Sequence, residues 1–373
     1  MAVSRKIKQL YFSFFEKPET FVANAISKFQ EKRNLNRNID KSFKLTKEQK
    51  KQIKEFWKPY CRVSPKWARY YTAKNGQFDP RYIPNDLYYT KIDQHFNSRK
   101  LGYGFNDKNY YSKIFAGIKQ PEVIVRKINS LVFDENYNQI TVEEAKNKIL
   151  LQREVICKPS QETGSGRGIV FFDTNNTSAI ESFLTDKFYD DCVVQKLIQQ
   201  HSELDRVHKG SVNCIRITSI LFEDGVHILS AVLRMGFGNS KVDNATAKDN
   251  AGYDGMSCGI DQNGYLKKIA HGYITGNGCE QHPDGLVFEG FKIPSFDKAV
   301  ELVKFAHPLI GHFRLVSWDI AIDKEGDPVL IEANMRKGSI NFHQFNNGPI
   351  FGELTNTVLD EVFGRGKKCS QKH

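Results

Sequence analysis

The sequence lacks what several protein classes require. Its 373 residues hold seven cysteines, Cys61, Cys157, Cys192, Cys214, Cys258, Cys279 and Cys369. The number is odd and no two form a CxxC, which argues against a disulfide framework and a structural zinc site and points to a reducing, cytoplasmic compartment. No apolar run approaches the roughly 20 residues of a membrane-spanning helix. There is no GK[ST] of a P-loop and no GxGxxG of a dinucleotide fold. No internal repeat, DNA-binding motif, Ser/His/Asp set or Cys/His set is visible. His282 in "QHPDG" and His343 in "NFHQF" read as loop histidines rather than catalysts. A surplus of acid is also missing. The 54 Lys+Arg outnumber 43 Asp+Glu, for a net charge of +11. That balance suits anionic partners such as nucleotides, sugar phosphates or acidic lipid.

What is present divides by texture. With 40% hydrophobic residues the chain can bury a sizeable core. Residues 1–105 read as a helical, aromatic-rich leading region. Its first residues, "MAVSRKIKQLYFSFFEKPETFVANAISKF", make no convincing signal peptide. They suit either a basic amphipathic helix on an acidic membrane face or a helix packed on its own domain. "LTKEQKKQIKEFWKPY" predicts a solvated helix capped by Thr46, with Gln49 closing a capping box. Residues 61–105 predict an irregular packed segment with one short helix near its end. From about residue 106 strands and helices follow one another. "EVIVRKI", "REVICKP", "IVFF", "DCVVQKLI", "VNCIRITSILF" and "HILSAVLRM" predict strands. "TVEEAKNKILL", "FDKAVELVKFAHPLI" and "PIFGELTNTVLDEVFG" predict helices, the last stopped by Gly364. The tail 365–373 predicts disorder. The class is α+β.

Three constellations carry chemistry. In "VSWDIAIDKEGDPVLIEAN" two strands flank a turn centred on Glu325 and Gly326. Counting outward from that centre places Asp319 opposite Glu332, and Asn334 on the same face. Two opposed carboxylates repel unless a cation lies between them. Oxygen donors alone suit Mg²⁺ or Mn²⁺. The alternative is an exposed hairpin with a wet face, and the pattern alone leaves both open. In "VICKPSQETGSGRGIVFF" a strand ends at Lys158. The loop Gly164, Ser165, Gly166, Arg167, Gly168 then offers backbone and side-chain donors to phosphate oxygens. The alternative there is a flexible hairpin tip. In "DCVVQKLIQQHSEL" backbone groups around Gln195, Lys196 and Leu197 are suited to an adenine edge, and Glu203 to ribose hydroxyls. An ordinary strand end is the competing reading.

In this order the pieces resemble the ATP-grasp superfamily, from about Asn106 to Gly364. Glu332 lies thirteen residues after Asp319 and Asn334 two later, as in the metal-binding strands of D-alanine–D-alanine ligases. Finer phrases, "SVNCIRITSI", "LRMGFGNSKVDN", "YDGMSCGIDQNGYL", "HPDGLVFEGFKIPSFDKAVEL" and "WDIAID", are similar to sugar-transfer-associated ATP-grasp proteins found with polysaccharide genes. The resemblance implies two α+β lobes, 106–200 and 201–364, clasping ATP, behind the N-terminal extension. It implies phosphate contacts from Lys158 and Lys113, with Lys108 a rival to Lys113. It also implies one or two Mg²⁺ on Asp319, Glu332 and Asn334. Arg216 and Arg234 match basic positions suited to the γ-phosphate or an acidic substrate. Three positions depart from the ligases. Gln195 stands where Glu is frequent, Ser317 where the ligases carry Arg, and "MRKGS" where they carry a small loop. Arg336 or Lys337 is a candidate to restore the missing charge.

The implied activity is a carboxylate–amine ligase working through an acyl phosphate. It would join an acid to an amino sugar or glycan precursor, and nucleic acid is not an expected partner. Two rivals stand beside it: a phosphotransferase acting on a sugar or glycan hydroxyl, and a non-catalytic polyanion- or glycan-binding protein.

Overall fold

The structure, a computed structural model, describes residues 24–161, 168–173, 180–181, 184–185, 191–243, 255–273, 278–336 and 338–364. The chain divides into two compact units, Met1–Phe96 with Gly348–His373, and Asn97–Asn347. Most of the N-terminal stretch 1–29, read as either a membrane-surface helix or a helix packed on its own domain, lies outside the described residues, and its described part, 24–29, belongs to a helix that runs to residue 38. Among the described residues no helix is long and apolar enough to cross a membrane.

The first unit is helical. Lys47–Trp57 forms a helix with the expected capping box between Thr46 and Gln49. It buries only Ile53 and Trp57, so its lysines are a solvated face. Residues 61–105 are more regular than expected. Lys66–Asn75 is a full helix ended by Gly76 in the left-handed conformation, and Arg99–Phe105, in the second unit, is another. The aromatic residues that made this segment look irregular are the buried stripe of the first helix. Trp67 stacks on Tyr71, which meets Tyr82 at 5.0 Å. At the other end of the chain, Thr355–Val362 is helical and Gly364 has φ +71, as its place after the apolar run predicts.

The second unit holds two antiparallel sheets. The smaller runs β2 (Leu131–Asp134), β1 (Val123–Ile128), β5 (Cys192–Lys196), β3 (Glu154–Pro159), β4 (Val170–Asp173). The larger runs β10 (Gly278–Cys279), β9 (Leu266–Gly272), β8 (Met256–Ile260), β7 (Gly225–Met235), β6 (Cys214–Phe222), β11 (Leu315–Ile322), β12 (Pro328–Asn334). Strands β2, β8, β9 and β10 were not legible in the sequence. β8 and β9 are broken by glycines and lysines and lack a clean two-residue alternation. The helix Val142–Leu150 covers one face of the smaller sheet, over Val125, Val155 and Val194. The helix Phe296–Ala306 covers the larger sheet over Trp318, Ile320 and Leu330. A strap, residues 106–121, ties the sheets together. Lys108 N donates to Ser160 O at 2.8 Å on the small-sheet side, and Leu330 N of β12 donates to Lys119 O at 2.9 Å.

The core of the larger sheet contains two histidines that are not loop residues or are fixed by more than a loop. His343, expected in a polar loop, is fully buried in the helix Asn341–Asn347, between Ser230 Oγ (2.8 Å) and Thr218 Oγ1 (3.1 Å). His307 closes a chain in which Trp318 Nε1 donates to Ser219 Oγ (2.8 Å). Ser219 meets His307 Nδ1 (2.8 Å), and Nε2 bonds Phe313 O (2.9 Å). Burial pushes the pKa of His307 down to about 4 and that of His343 to about 3. A histidine depressed in the folded state gives its full stabilisation above the unfolded pKa of about 6.5. As pH falls below that, the unfolded chain takes up protons that the folded chain refuses. Stability to urea should therefore be level above pH 6.5 and decline toward pH 4, each histidine adding up to about 1.4 kcal/mol per pH unit. His307→Gln should flatten that slope, and an unchanged slope would contradict the assignment.

Candidate active site

The site grows from the β11–β12 hairpin. Asp323 Oδ1 accepts from the N–H groups of Glu325 and Asp327, and Gly326 takes φ +81, which fixes a tight turn. Near the turn Ile322 pairs with Pro328, Ala321 with Val329, and Ile320 with Leu330. That register is one residue off the count from the turn centre. A β-bulge at Ile331 makes up the difference, and from there Asp319 faces Glu332 and Ser317 faces Asn334. The bulge keeps Leu330 and Ala333 in the core with Trp318 and Ile320, while Glu332 and Asn334 turn to the opposite face beside Asp319.

Asp319 is only 4% exposed. Its cross-strand neighbour on β6 is Arg216, whose Nε and Nη2 donate to the two carboxylate oxygens. Arg234 Nη1 on β7 donates to Oδ2 at 3.1 Å, and Asn334 Nδ2 approaches it at 3.4 Å. Burial alone would raise the carboxyl's pKa; the two guanidinium charges and their hydrogen bonds overcome it and hold the pKa below its ordinary value. The positive charge beside Asp319 thus comes from β6 and β7. Arg336 does not supply it: its stem crosses Gly102, where only a missing Cβ leaves room, and its guanidinium lies 4.2 Å from the Tyr103 ring. Lys337 lies outside the described residues.

Glu332 meets Lys108 Nζ at 2.8 Å. Lys158 stands at the end of β3, and its pKa is lowered by burial first and by the charge of Lys108 second, with Glu332 opposing. The charges of Lys108 and Glu332 thus both act on the Lys158 ammonium. Lys113 does not join them, and its ammonium lies 3.9 Å over the Tyr137 ring. Gly164, Ser165, Gly166 and Arg167 lie outside the described residues. Gly168 has φ +79, and a Cβ there would sit 2.8 Å from Pro159 Cγ, so glycine is required where the loop returns to β4.

On β5, Gln195 is buried and donates to Pro121 O at 3.4 Å. The Lys196 N–H is given to Glu122 O, and its ammonium pairs with the Glu122 carboxylate at 2.6 Å. Leu197 follows, half-buried, past the strand end. Glu203 pairs with Arg206 in the short helix Ser202–Asp205 and its following residue.

Asp319, Glu332 and Asn334 form an all-oxygen donor set on one sheet face, which fits a hard divalent cation. Glu332 and Asn334 are half-buried and reachable, whereas both oxygens of Asp319 are shared with arginines. Among the described residues no group of three His, Cys, Asp or Glu gathers as a metal site, and here the third donor is an asparagine. The sequence reading missed Asp243 and Tyr273. Arg234 reaches Asp243 Oδ1 at 3.5 Å with Nη2 and the Tyr273 hydroxyl at 3.2 Å with Nε. The signal available for Asp243 was a single acid closing the Gly- and Ser-rich stretch "GFGNSKVD".

The sequence matches the family described as sugar-transfer associated ATP-grasp over residues 88–358. No curated protein matches it. Among solved structures it is similar to the ATP-grasp ligase PsnB complexed with minimal precursor, at 14% identity and TM-score 0.41, covering 71% of this chain and 64% of that one. It is similar to the L-amino acid ligase from Bacillus licheniformis at 16% identity and TM-score 0.40, covering 69% and 47%. It is also similar to the VanG D-Ala:D-Ser ligase from Enterococcus faecalis at 14% identity and TM-score 0.42, covering 70% and 61%. The chain thus spans between about half and two thirds of the length of these structures. The family match covers well over half of the sequence, and the chain belongs to the sugar-transfer associated ATP-grasp family, with the two-sheet α+β fold of an ATP-grasp protein.

Proposed function

We propose that this protein is an ATP-dependent carboxylate–amine ligase. The observation that carries the reading is the opposed pair Asp319 and Glu332, with Asn334 beside them, inside a ring of Lys108, Lys158, Arg216 and Arg234. Such a ring suits a triphosphate, and the acids within it suit the cation that accompanies one. Lys158 and Lys108 bind phosphate oxygens, and the Gly164–Gly168 segment supplies further donors to them. Gln195, Lys196 and Leu197 line the base, and Glu203 the ribose. Glu332 and Asn334, with Asp319, hold Mg²⁺ or Mn²⁺. A divalent ion held by these residues would supply screening of the phosphate charge and orientation of the γ-phosphoryl group.

Arg216 and Arg234, fixed on neighbouring strands, stabilise charge on the transferring phosphoryl group without having to reorganise. A substrate carboxylate oxygen attacks the γ-phosphorus, the bond to the β–γ bridging oxygen breaks, and ADP leaves. The resulting acyl phosphate is open to an amine, which forms an amide and releases phosphate. An acid joined to an amino sugar or glycan precursor fits the description of the family. We place the reaction in the cytoplasm.

Incubation with Mg-ATP, pooled amino and sugar acids and hydroxylamine should yield ADP, phosphate and a hydroxamate together. ADP with a phosphorylated product and no free phosphate would replace this reading with the phosphotransferase. Glu332→Gln and Lys158→Ala should each lower turnover by roughly 100-fold or more, with the thermal midpoint kept near wild type. A fully active Glu332→Gln would remove the site assignment. Lys108→Ala should weaken ATP binding by about tenfold or more, the scale of one charge-assisted contact, whereas Lys113→Ala should not. Calorimetric titration with a non-hydrolysable ATP analogue separates them, and the reverse order would restore Lys113.

A further inference from the structure

One carboxylate of the site has no part in the arrangement so far. Asp243 closes the loop 236–243 that leaves β7. That loop is pinned at several points. His282 Nε2 bonds Gly236 O at 2.9 Å, and His208 bonds both Ser240 O (3.2 Å) and Asp284 (2.6 Å). Ser240 Oγ donates to Val242 O at 2.7 Å. Lys241 lies 5.4 Å from the Phe171 ring on β4, so the loop reaches the smaller sheet. Asp243 is therefore presented by a fixed support between the sheets.

Its surroundings leave it half satisfied. The side chain is 13% exposed. Oδ1 has Arg234 at 3.5 Å, a long contact, because that guanidinium is committed to Asp319 and Tyr273. Cys214 of β6, whose thiol donates to Val212 O at 4.0 Å, is its other near neighbour. Oδ2 is buried without a hydrogen-bond partner among the described residues. The other charged and titratable groups that face it are Arg216 on β6, Asp319 on β11, Lys158 on β3 and Tyr273 just past β9. Arg216 is held by Asp319 and is not free to turn. A buried acceptor without a donor costs about 1–3 kcal/mol, so its retention calls for a donor from outside the fold. An anion would be repelled by the carboxylate. A hard metal ion would need several oxygens, and among the described residues the nearest groups are the Arg234 guanidinium and the Cys214 thiol, with Asp319 already held by two arginines. An ammonium group supplies both the charge and the N–H.

We propose that Asp243 is the acceptor residue of the ligase: its partly exposed carboxylate binds the ammonium group of the amine substrate and takes its proton. The inference rests on the ligase reading above and assigns the amine half of it. Asp243 accepts one proton from R–NH3⁺, which leaves R–NH2 with a free electron pair. That nitrogen attacks the acyl carbon, the C–N bond forms, and the C–O bond to phosphorus breaks. The second nitrogen proton departs with the leaving group as HPO4²⁻, and Asp243 returns its proton to solvent. Burial raises the Asp243 pKa, with Arg234 opposing, and so makes it a stronger proton acceptor than a surface aspartate.

The test compares two nucleophiles on the same acyl phosphate. Hydroxylamine is largely unprotonated at neutral pH and needs no base, while ammonium is protonated and does. With the acid identified by hydroxamate trapping, wild-type protein given ammonium chloride should form the primary amide. In Asp243→Asn the ratio of amide to hydroxamate should fall about 100-fold and recover as pH rises toward the amine's own pKa. Asp243→Glu should keep more of the ratio than Asp243→Asn, which separates lost base from lost packing. An unchanged ratio in Asp243→Asn, or a wild type that forms hydroxamate but no ammonium-dependent amide, would overturn the proposal. Absence of hydroxamate from the wild type would instead remove the ligase reading on which it rests.

Discussion

The arrangement depends on a carboxylate that could not be buried alone. Asp319 lies in the middle of a strand with every residue buried, where an isolated charge would cost several kcal/mol. Arg216 and Arg234 offset that cost because Arg216 stands directly opposite on β6 and Arg234 reaches across from β7, two positions along on the same face. The geometry is set by backbone register, which fixes both guanidinium groups before any ligand arrives. Breaking one member would leave the others charged and unpaired. The triad is thus a folding constraint on β6, β7 and β11 as well as a chemical one.

A second constraint is the single extra residue in β12. Without the bulge at Ile331 the core pattern of the hairpin would run on unbroken from the turn. The pairs close to the turn show that register. The bulge lets β12 keep Leu330 and Ala333 in the core while Glu332 faces Asp319. The strap 106–121 then brings Lys108 to Glu332 from the other side, because its backbone is bonded to Ser160 and to β12. Opposed acids on a strand pair are destabilising when bare. Here each has a cation of its own, and the two cations come from different parts of the chain.

This explains what the sequence could and could not tell. The pairing of Asp319 with Glu332 was legible because turn residues and acid positions are local information. The count reached the right pair although the turn register is offset, since the bulge cancels the offset. The Thr46 capping box, the β3 strand ending in Lys158 and the helix Val142–Leu150 were legible for the same reason. The arginine partners of Asp319 were not, since they lie 103 and 85 residues away in sequence and meet it only through sheet pairing. The aromatic-rich segment misled because tyrosine and tryptophan carry weak local preference, and their burial against one another decides the helix. His343 misled likewise, since its polar neighbours belong to a helix buried against the sheet.

Charge gives the last link between architecture and chemistry. Lys108, Lys158, Arg216 and Arg234 meet Glu332, Asp319 and Asp243. Four cations against three carboxylates leave one positive charge on a site walled by two sheets. A triphosphate with its divalent ion adds about two negative charges and takes the total to about −1, against about −3 for the bare triphosphate and about +3 for the bare ion, and a poorly solvated cleft tolerates the smaller net charge best. Neither a bare polyanion nor a bare metal ion would balance it as well. The acids on the β11–β12 hairpin and the bases around them are therefore one device: the acids prevent the basic ring from repelling itself, and the ring allows the acids to be held in a buried strand pair.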